Sequence, residues 1–155
     1  MTDDSVNDTV TDDSAARVDA RVGVTVVHRR YVPYSHGHYG GNLVDGAYVL
    51  GLFGDVATEL CIRTDGDEGL FASYDEVQFL APVQAGDVIE AQATLVRVGT
   101  RSRGVQFEAR VVCRAAGSLD SGLVEAASAP SAATVVDPVI VCTTARGTVV
   151  VPASH

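Results

Sequence analysis

The sequence predicts an α+β fold in which an antiparallel five-stranded sheet wraps around one long central helix. Three observations predict it: a single stretch has helical periodicity, everything after it alternates with a period of two, and a β-branched run comes before it. A strand, a helix and four more strands fit one antiparallel layer, with the helix laying its apolar face on the concave side.

Taken in order, residues 1–19 hold six aspartates among Ser, Thr and Asn and read as a disordered acidic tail. The rest, 20–155, reads as one domain. Residues 22–27 (Val-Gly-Val-Thr-Val-Val) form the first strand, which Pro33 ends before a loop over 35–41. Between 43 and 63 the small and apolar residues Leu43, Ala47, Leu50, Gly54, Ala57 and Cys61 recur at the spacing of one helical face. Asn42 suits the N-cap, Asp45 the first turn, and Glu59 with Arg63 an i,i+4 pair. Gly46, Gly51 and Gly54 lie inside this helix, where each costs about 1 kcal/mol against alanine, so a sheet closely wrapped around it is expected. Strands follow at 71–80, 87–98, 103–114 and 135–152, with turns at 82–86 and 99–102. In the third of these, Val105, Phe107, Ala109 and Val111 share one face, and Gln106, Glu108 and Arg110 the other. Residues 115–133, rich in Ala, Ser and Gly, read as a loop insertion. Open sheet edges call for a second copy, so a homodimer or a higher homo-oligomer is expected.

Composition excludes several functions. A net charge of −9 and a pI near 4.7 leave no basic patch for nucleic acid or an anionic membrane surface. No apolar run reaches membrane-spanning length and the N-terminus is acidic, so the expected location is cytoplasmic. All 11 basic residues are arginine. Without lysine there is neither a Schiff base for pyridoxal phosphate nor a P-loop, and acid–base work falls to carboxylates, histidine or tyrosine. Cys61, Cys113 and Cys142 are too far apart for a C-x-x-C pair and read as buried thiols; of the histidines, only the His36-x-His38 pair has a spacing that suits a metal, and none is expected.

The chemistry gathers in His38-Tyr39-Gly40-Gly41-Asn42-Leu43-Val44-Asp45-Gly46, a base, paired glycines and a carboxylate at the start of the helix. Paired glycines let a carbonyl approach the backbone, and the free N–H groups of a helix start favour negative charge. Helix stabilisation alone would also account for Asp45.

With these elements placed, the chain resembles the 3-aminobutyryl-CoA ammonia-lyase family of the hot-dog fold. The resemblance rests on His38–Ala47, on Leu52-Phe53-Gly54-Asp55-Val56-Ala57-Thr58-Glu59-Leu60, on Asp65-Gly66-Asp67-Glu68-Gly69-Leu70-Phe71, on Val77-Gln78-Phe79-Leu80-Ala81-Pro82-Val83, on Ala85-Gly86-Asp87 and on Phe107-Glu108-Ala109-Arg110. It spans roughly residues 22–114. It implies reversible removal of ammonia from a short β-aminoacyl-CoA, 3-aminobutyryl-CoA to crotonyl-CoA as in lysine fermentation, with acyl-CoA bound between subunits. Coenzyme A would enter as part of the substrate and no other cofactor is expected. The histidine-type ammonia lyases build a prosthetic ring from Ala-Ser-Gly, and that tripeptide does not occur here.

Within that reading the backbone at Tyr39, Gly40, Gly41 and Asn42 would hold the thioester oxygen as charge develops. Tyr74, Glu76 and Gln78 alternate with Val77 and Phe79, so Tyr74 would line the substrate face, and Glu76, a carboxylate in an apolar cleft, would be the base. A solvated strand carboxylate is the other reading of Glu76. His38 and Asp45 would orient the ammonium or move its proton, roles that could be exchanged with that of Glu76. Arg101 and Arg103, at a hairpin tip, would grip the phosphates of coenzyme A, or be ordinary surface charge. An acyl-CoA thioesterase, an enoyl-CoA hydratase and a non-catalytic acyl-CoA-binding module are the alternatives.

Overall fold

The computed structural model describes residues 17–116 and 129–153. The tail over 1–16, the core of the expected loop insertion and His155 lie outside them. Asp19 does not belong to a free tail: its carboxylate accepts hydrogen bonds from the backbone and the side chain of Arg21, at 2.9 Å each. A turn over residues 20–23, closed by Gly23 at φ +97°, delays the first strand relative to the sequence reading.

Strand β1 (Thr25–Tyr31) leads into two short strands, β2 (Gly37–Tyr39) and β3 (Leu43–Val44), and then into helix α1 (Gly46–Asp65). Four long strands follow: β4 (Leu70–Phe79), β5 (Val88–Val98), β6 (Ser102–Ala115) and β7 (Ala133–Val150). The large sheet has the order β1-β5-β6-β7-β4, antiparallel throughout, so the expected α+β layout holds. β1 and β4 are its edges.

The helix sits on the sheet because both surfaces are shaped for it. Val49, Leu52, Phe53, Val56, Ala57, Leu60 and Cys61 form its buried face. Ile89, Ala91, Ala93 and Leu95 of β5, with Val105, Phe107, Ala109 and Val111 of β6, form the opposite wall, as the period-two reading required. The alanines let the helix approach, while Phe53 stacks on Phe107 at 4.9 Å between ring centroids. Each such large buried side chain contributes roughly 1.5–3 kcal/mol. Gly147 belongs to this cluster, because a Cβ there would stand 2.6 Å from Phe71 and 2.9 Å from Phe107.

Both helix ends differ from the sequence reading or add to it. The N-cap is Asp45, whose carboxylate accepts from the Tyr48 N–H at 3.0 Å, and not Asn42. Asn42 adopts φ 59° in the preceding turn, where its carbonyl accepts from Ala85 N–H. At the other end Gly66, at φ 66°, closes the helix by donating to Ile62 O. Of the helix glycines only Gly46 answers to close packing, since a Cβ there would meet the Phe79 ring at 2.6 Å. Gly51 and Gly54 face open space within the chain, so the sheet does not account for them.

Burial pushes the Cys61 thiol up to about 11 and also raises that of Cys142, so both are inert packing groups. Cys113 is only half-buried. Among the described residues no helix is long and apolar enough to cross a membrane.

Candidate active site

A cavity of about 390 Å³ opens at the N-terminal end of α1. Tyr39, Val44, Asp45, Gly46 and Val49 line it from the motif and the helix, Phe79 to Val83 from the end of β4 and the following loop, and Thr143 from β7. Most of the wall is apolar, and its polar side chains are Tyr39, Asp45 and Thr143. Sequence reasoning found the first two. Thr143 lies far from the motif in the chain and reaches the site only through the pairing of β7 with β4, by which Phe79 faces Thr143.

Asp45 divides its carboxylate between two tasks. One oxygen caps the helix, and the other stands 4.0 Å from His38 Nδ1, with the Asp45 side chain 37% exposed. A protonated His38 would stand within ion-pair range of the cap without being hydrogen-bonded to it. His38 packs edge-on against Tyr39 at 4.6 Å, whereas His36 packs on Tyr48, so the two histidine rings do not converge.

The paired glycines lie five and six residues before the helix, not in its first turn. Gly40–Asn42 make a tight turn between β2 and β3 in which Gly41 takes φ 74°. At Gly40 an added Cβ would meet no atom within 4 Å, so nothing in the chain itself demands glycine there. The gap leaves the backbone approachable from outside.

Comparisons with known proteins show the family and the fold. The Thioesterase superfamily model matches residues 41–115, from the tight turn to the end of β6. The β-alanyl-CoA:ammonia lyase of Clostridium propionicum superimposes with a TM-score of 0.73 at 36% identity, covering 84% of this chain and 86% of that one. A hexameric hotdog fold thioesterase of Campylobacter jejuni superimposes with a TM-score of 0.61 at 20% identity over 79% of each chain, a likeness of fold alone. The 3-aminobutyryl-CoA ammonia lyase of Acetoanaerobium sticklandii is 50% identical over 115 residues, 74% of this chain and 84% of that protein. The chain belongs to the 3-aminobutyryl-CoA ammonia lyase family.

Seen as a member of this family, the chain departs from the sequence reading at three residues. Glu76 does not lie in an apolar cleft: its side chain is 70% exposed and 3.4 Å from Arg146. The cause is a break in the β4–β7 register between Asp75 and Gln78, where Glu76 takes φ 52°, so counting by twos fails there. Tyr74 is correspondingly turned inward, its hydroxyl donating to Leu50 O at 2.6 Å. Burial pushes that phenol up to about 12, which leaves it neutral and structural. Arg103 is not a free phosphate ligand either. It is buried, its guanidinium forks onto Asp65 at 2.7 to 3.2 Å, and it also donates to Gly99 O and Ser102 O. Arg101 remains exposed at the same hairpin, which meets the C-terminal end of α1, the far end from the cavity. One carboxylate escaped the sequence reading. Asp55 is exposed in mid-helix and has no ion-pair partner among the described residues. Its signal is that the next charges along the same helix face, Glu59 and Arg63, pair with each other and leave Asp55 among Ala47, Gly51 and Ile62.

Proposed function

We propose that this protein is an ammonia lyase that reversibly removes ammonia from a short β-aminoacyl-CoA, 3-aminobutyryl-CoA giving crotonyl-CoA. The observation that carries the proposal is the 50% identity to the 3-aminobutyryl-CoA ammonia lyase, which runs through the stretch that forms the cavity. In the reaction a base takes a proton from the carbon beside the thioester, the electron pair forms the new C=C bond, and the C–N bond breaks with its electrons leaving on nitrogen as ammonia, which then accepts the proton held by the base. The thioester makes that proton removable, so coenzyme A, as part of the substrate, is the only group required beyond the protein.

Asp45 with His38 is the acid–base pair in this scheme, because Asp45 lines the cavity and His38 Nδ1 stands 4.0 Å from the carboxylate oxygen that the helix cap leaves free. The helix start behind Asp45 and the approachable backbone at Gly40 and Gly41 favour the oxygen on which charge develops. Tyr39 lines the cavity, and Asn42 closes the turn that leads to it. Glu76 stands on an edge strand, and Arg101 at the hairpin; both would act only across a subunit boundary.

The working unit in this proposal is a homodimer or a larger homo-oligomer. β4 has a neighbour on one side only and carries exposed Leu70 and Phe79, and the outward face of α1 exposes Ala47, Gly51 and Ile62 beside its charged residues. Incubating the protein with crotonyl-CoA and ammonium tests the function. Loss of the enoyl absorbance that depends on ammonium supports it; release of free coenzyme A thiol, or loss without ammonium, replaces it with hydrolysis or hydration.

A further inference from the structure

We propose that Asp87 and Arg114, which lie outside the cavity, are positioning residues that hold the active-site motif in place through the loop at 82–87. Asp87 is 1% exposed, and Arg114 Nε and Nη2 donate to its two carboxylate oxygens at 3.0 and 2.8 Å. The pair also makes two hydrogen bonds to one loop. Arg114 Nη2 also donates to Pro82 O at 2.9 Å, and the Gln84 N–H donates to Asp87 Oδ2 at 2.8 Å. Gly86 N–H donates to Val32 O and Val32 N–H to Asp87 O, which ties the loop to the end of β1 as well.

The motif rests on this loop. Ala85 N–H donates to Asn42 O at 2.9 Å, Val44 N–H donates to Val83 O at 2.8 Å, and Leu43 bridges to Gln84. Asp45 is the next residue, and Pro82 and Val83 are themselves part of the cavity wall. Moving the loop therefore moves the wall and the carboxylate together. A buried ion pair is a poor source of stability, since apolar residues of similar volume usually serve as well or better. What apolar residues could not supply are the anchors at the Pro82 carbonyl and the Gln84 amide.

The activity arm of the test rests on the lyase reading; the exchange arm does not. Arg114→Lys keeps the charge but replaces a fork that spans two acceptors by a single ammonium. In that variant the amides of Val44 and Ala85 should exchange hydrogen at least ~10-fold faster than in the native protein while those of Ala91 and Ala109 in the sheet stay unchanged. Its kcat for adding ammonium to crotonyl-CoA should fall ~10-fold or more with KM for the thioester within about twofold, the pattern of a lost transition-state geometry. Exchange that quickens evenly across the sheet, exchange that is unaltered at Val44 and Ala85, or an unchanged kcat in the folded variant would each overturn the proposal. Should Arg114→Lys not fold, Asp87→Asn combined with Arg114→Gln removes both charges, strands neither, and is read in the same two ways. Native protein that does not add ammonium to crotonyl-CoA removes the lyase reading, and the exchange at Val44 and Ala85 then decides the proposal alone.

Discussion

The two ends of α1 each carry an aspartate, and the two are treated in opposite ways. Asp45, at the N-terminus, is where the helix dipole favours a negative charge, and one hydrogen bond to Tyr48 N–H is enough to hold it. Its second oxygen is left beside the cavity, 4.0 Å from His38. Asp65, at the C-terminus, is where the dipole opposes a negative charge, and it is 8% exposed. It is held by Arg103 and Arg21, each at 2.7 Å, and by the Thr64 hydroxyl at 2.8 Å. The same residue type is thus a half-used group at one end and a saturated joint at the other. The difference teaches that an acid is free for chemistry where the backbone already stabilises it, and bound up in structure where it needs cations to be tolerated.

The largest expected effect comes from breaking the saturated end. Arg103→Met leaves Asp65 with Arg21 and the Thr64 hydroxyl, and taking away the more buried of its two cations costs on the order of 2–3 kcal/mol, somewhat less than leaving the charge wholly unpaired. Urea unfolding should show that loss, while turnover per folded molecule stays near the native value because Arg103 and Asp65 lie at the end of the helix away from the cavity. A variant as stable as the native protein would show that the joint is ornamental.

Next comes the open end. Asn caps a helix about as well as Asp, so Asp45→Asn should leave the melting temperature nearly unchanged yet cut turnover about 100-fold, the scale of losing an acid–base group. Stability lost in step with turnover would mean that Asp45 serves the helix alone. His38→Ala should cost less, about tenfold in turnover, with stability within roughly 0.5 kcal/mol because the side chain is well exposed. Glu76→Gln separates the two carboxylate candidates, since it removes only an exposed pair with Arg146. Turnover should fall by less than about threefold; a loss as deep as that of Asp45→Asn would return Glu76 to the base role across a subunit boundary.

How much of this was legible in the sequence follows from the range over which each signal acts. The helix and the long strands follow periodicities of 3.6 and 2 that a few neighbouring residues display, and their observed bounds fall within a few residues of those expected. The motif was legible too, because a histidine, two glycines and an aspartate sit within nine residues. Its cap was misplaced because Asn42 and Asp45 are both good N-caps, and only the bonds from Ala85 and to Val83 exclude the earlier start. Glu76 was misplaced because one bulge reverses every parity count beyond it. Arg103 looked free because its partner is 38 residues away, and no local pattern reports an ion pair of that reach. The pairing of Asp87 with Arg114 was hidden for the same reason.

The smallest expected effect is the pH dependence of the saturated end. Burial by itself would raise the Asp65 carboxyl, but hydrogen bonds from Arg103 and Thr64 outweigh it and hold the group below its ordinary value of 3.8. The unfolded chain therefore binds a proton at Asp65 more readily than the folded one, and the stability so gained is complete only above that ordinary value. It is lost as the pH falls through the lower folded value, the direction in which a paired carboxylate drives acid unfolding. Because burial and pairing pull against each other, the net gain is modest, and it should appear as a difference in slope and not as a separate transition. Melting temperatures of the native protein and of Asp65→Asn, taken from roughly pH 7 down to pH 2, should lie furthest apart at the neutral end and draw together below about pH 4, where first the unfolded and then the folded carboxylate takes up its proton. Curves that stay parallel through the acid range would mean that Asp65 acts through its shape and hydrogen bonds alone, with no part played by its charge, and the contrast between the two ends of the helix would then be one of packing.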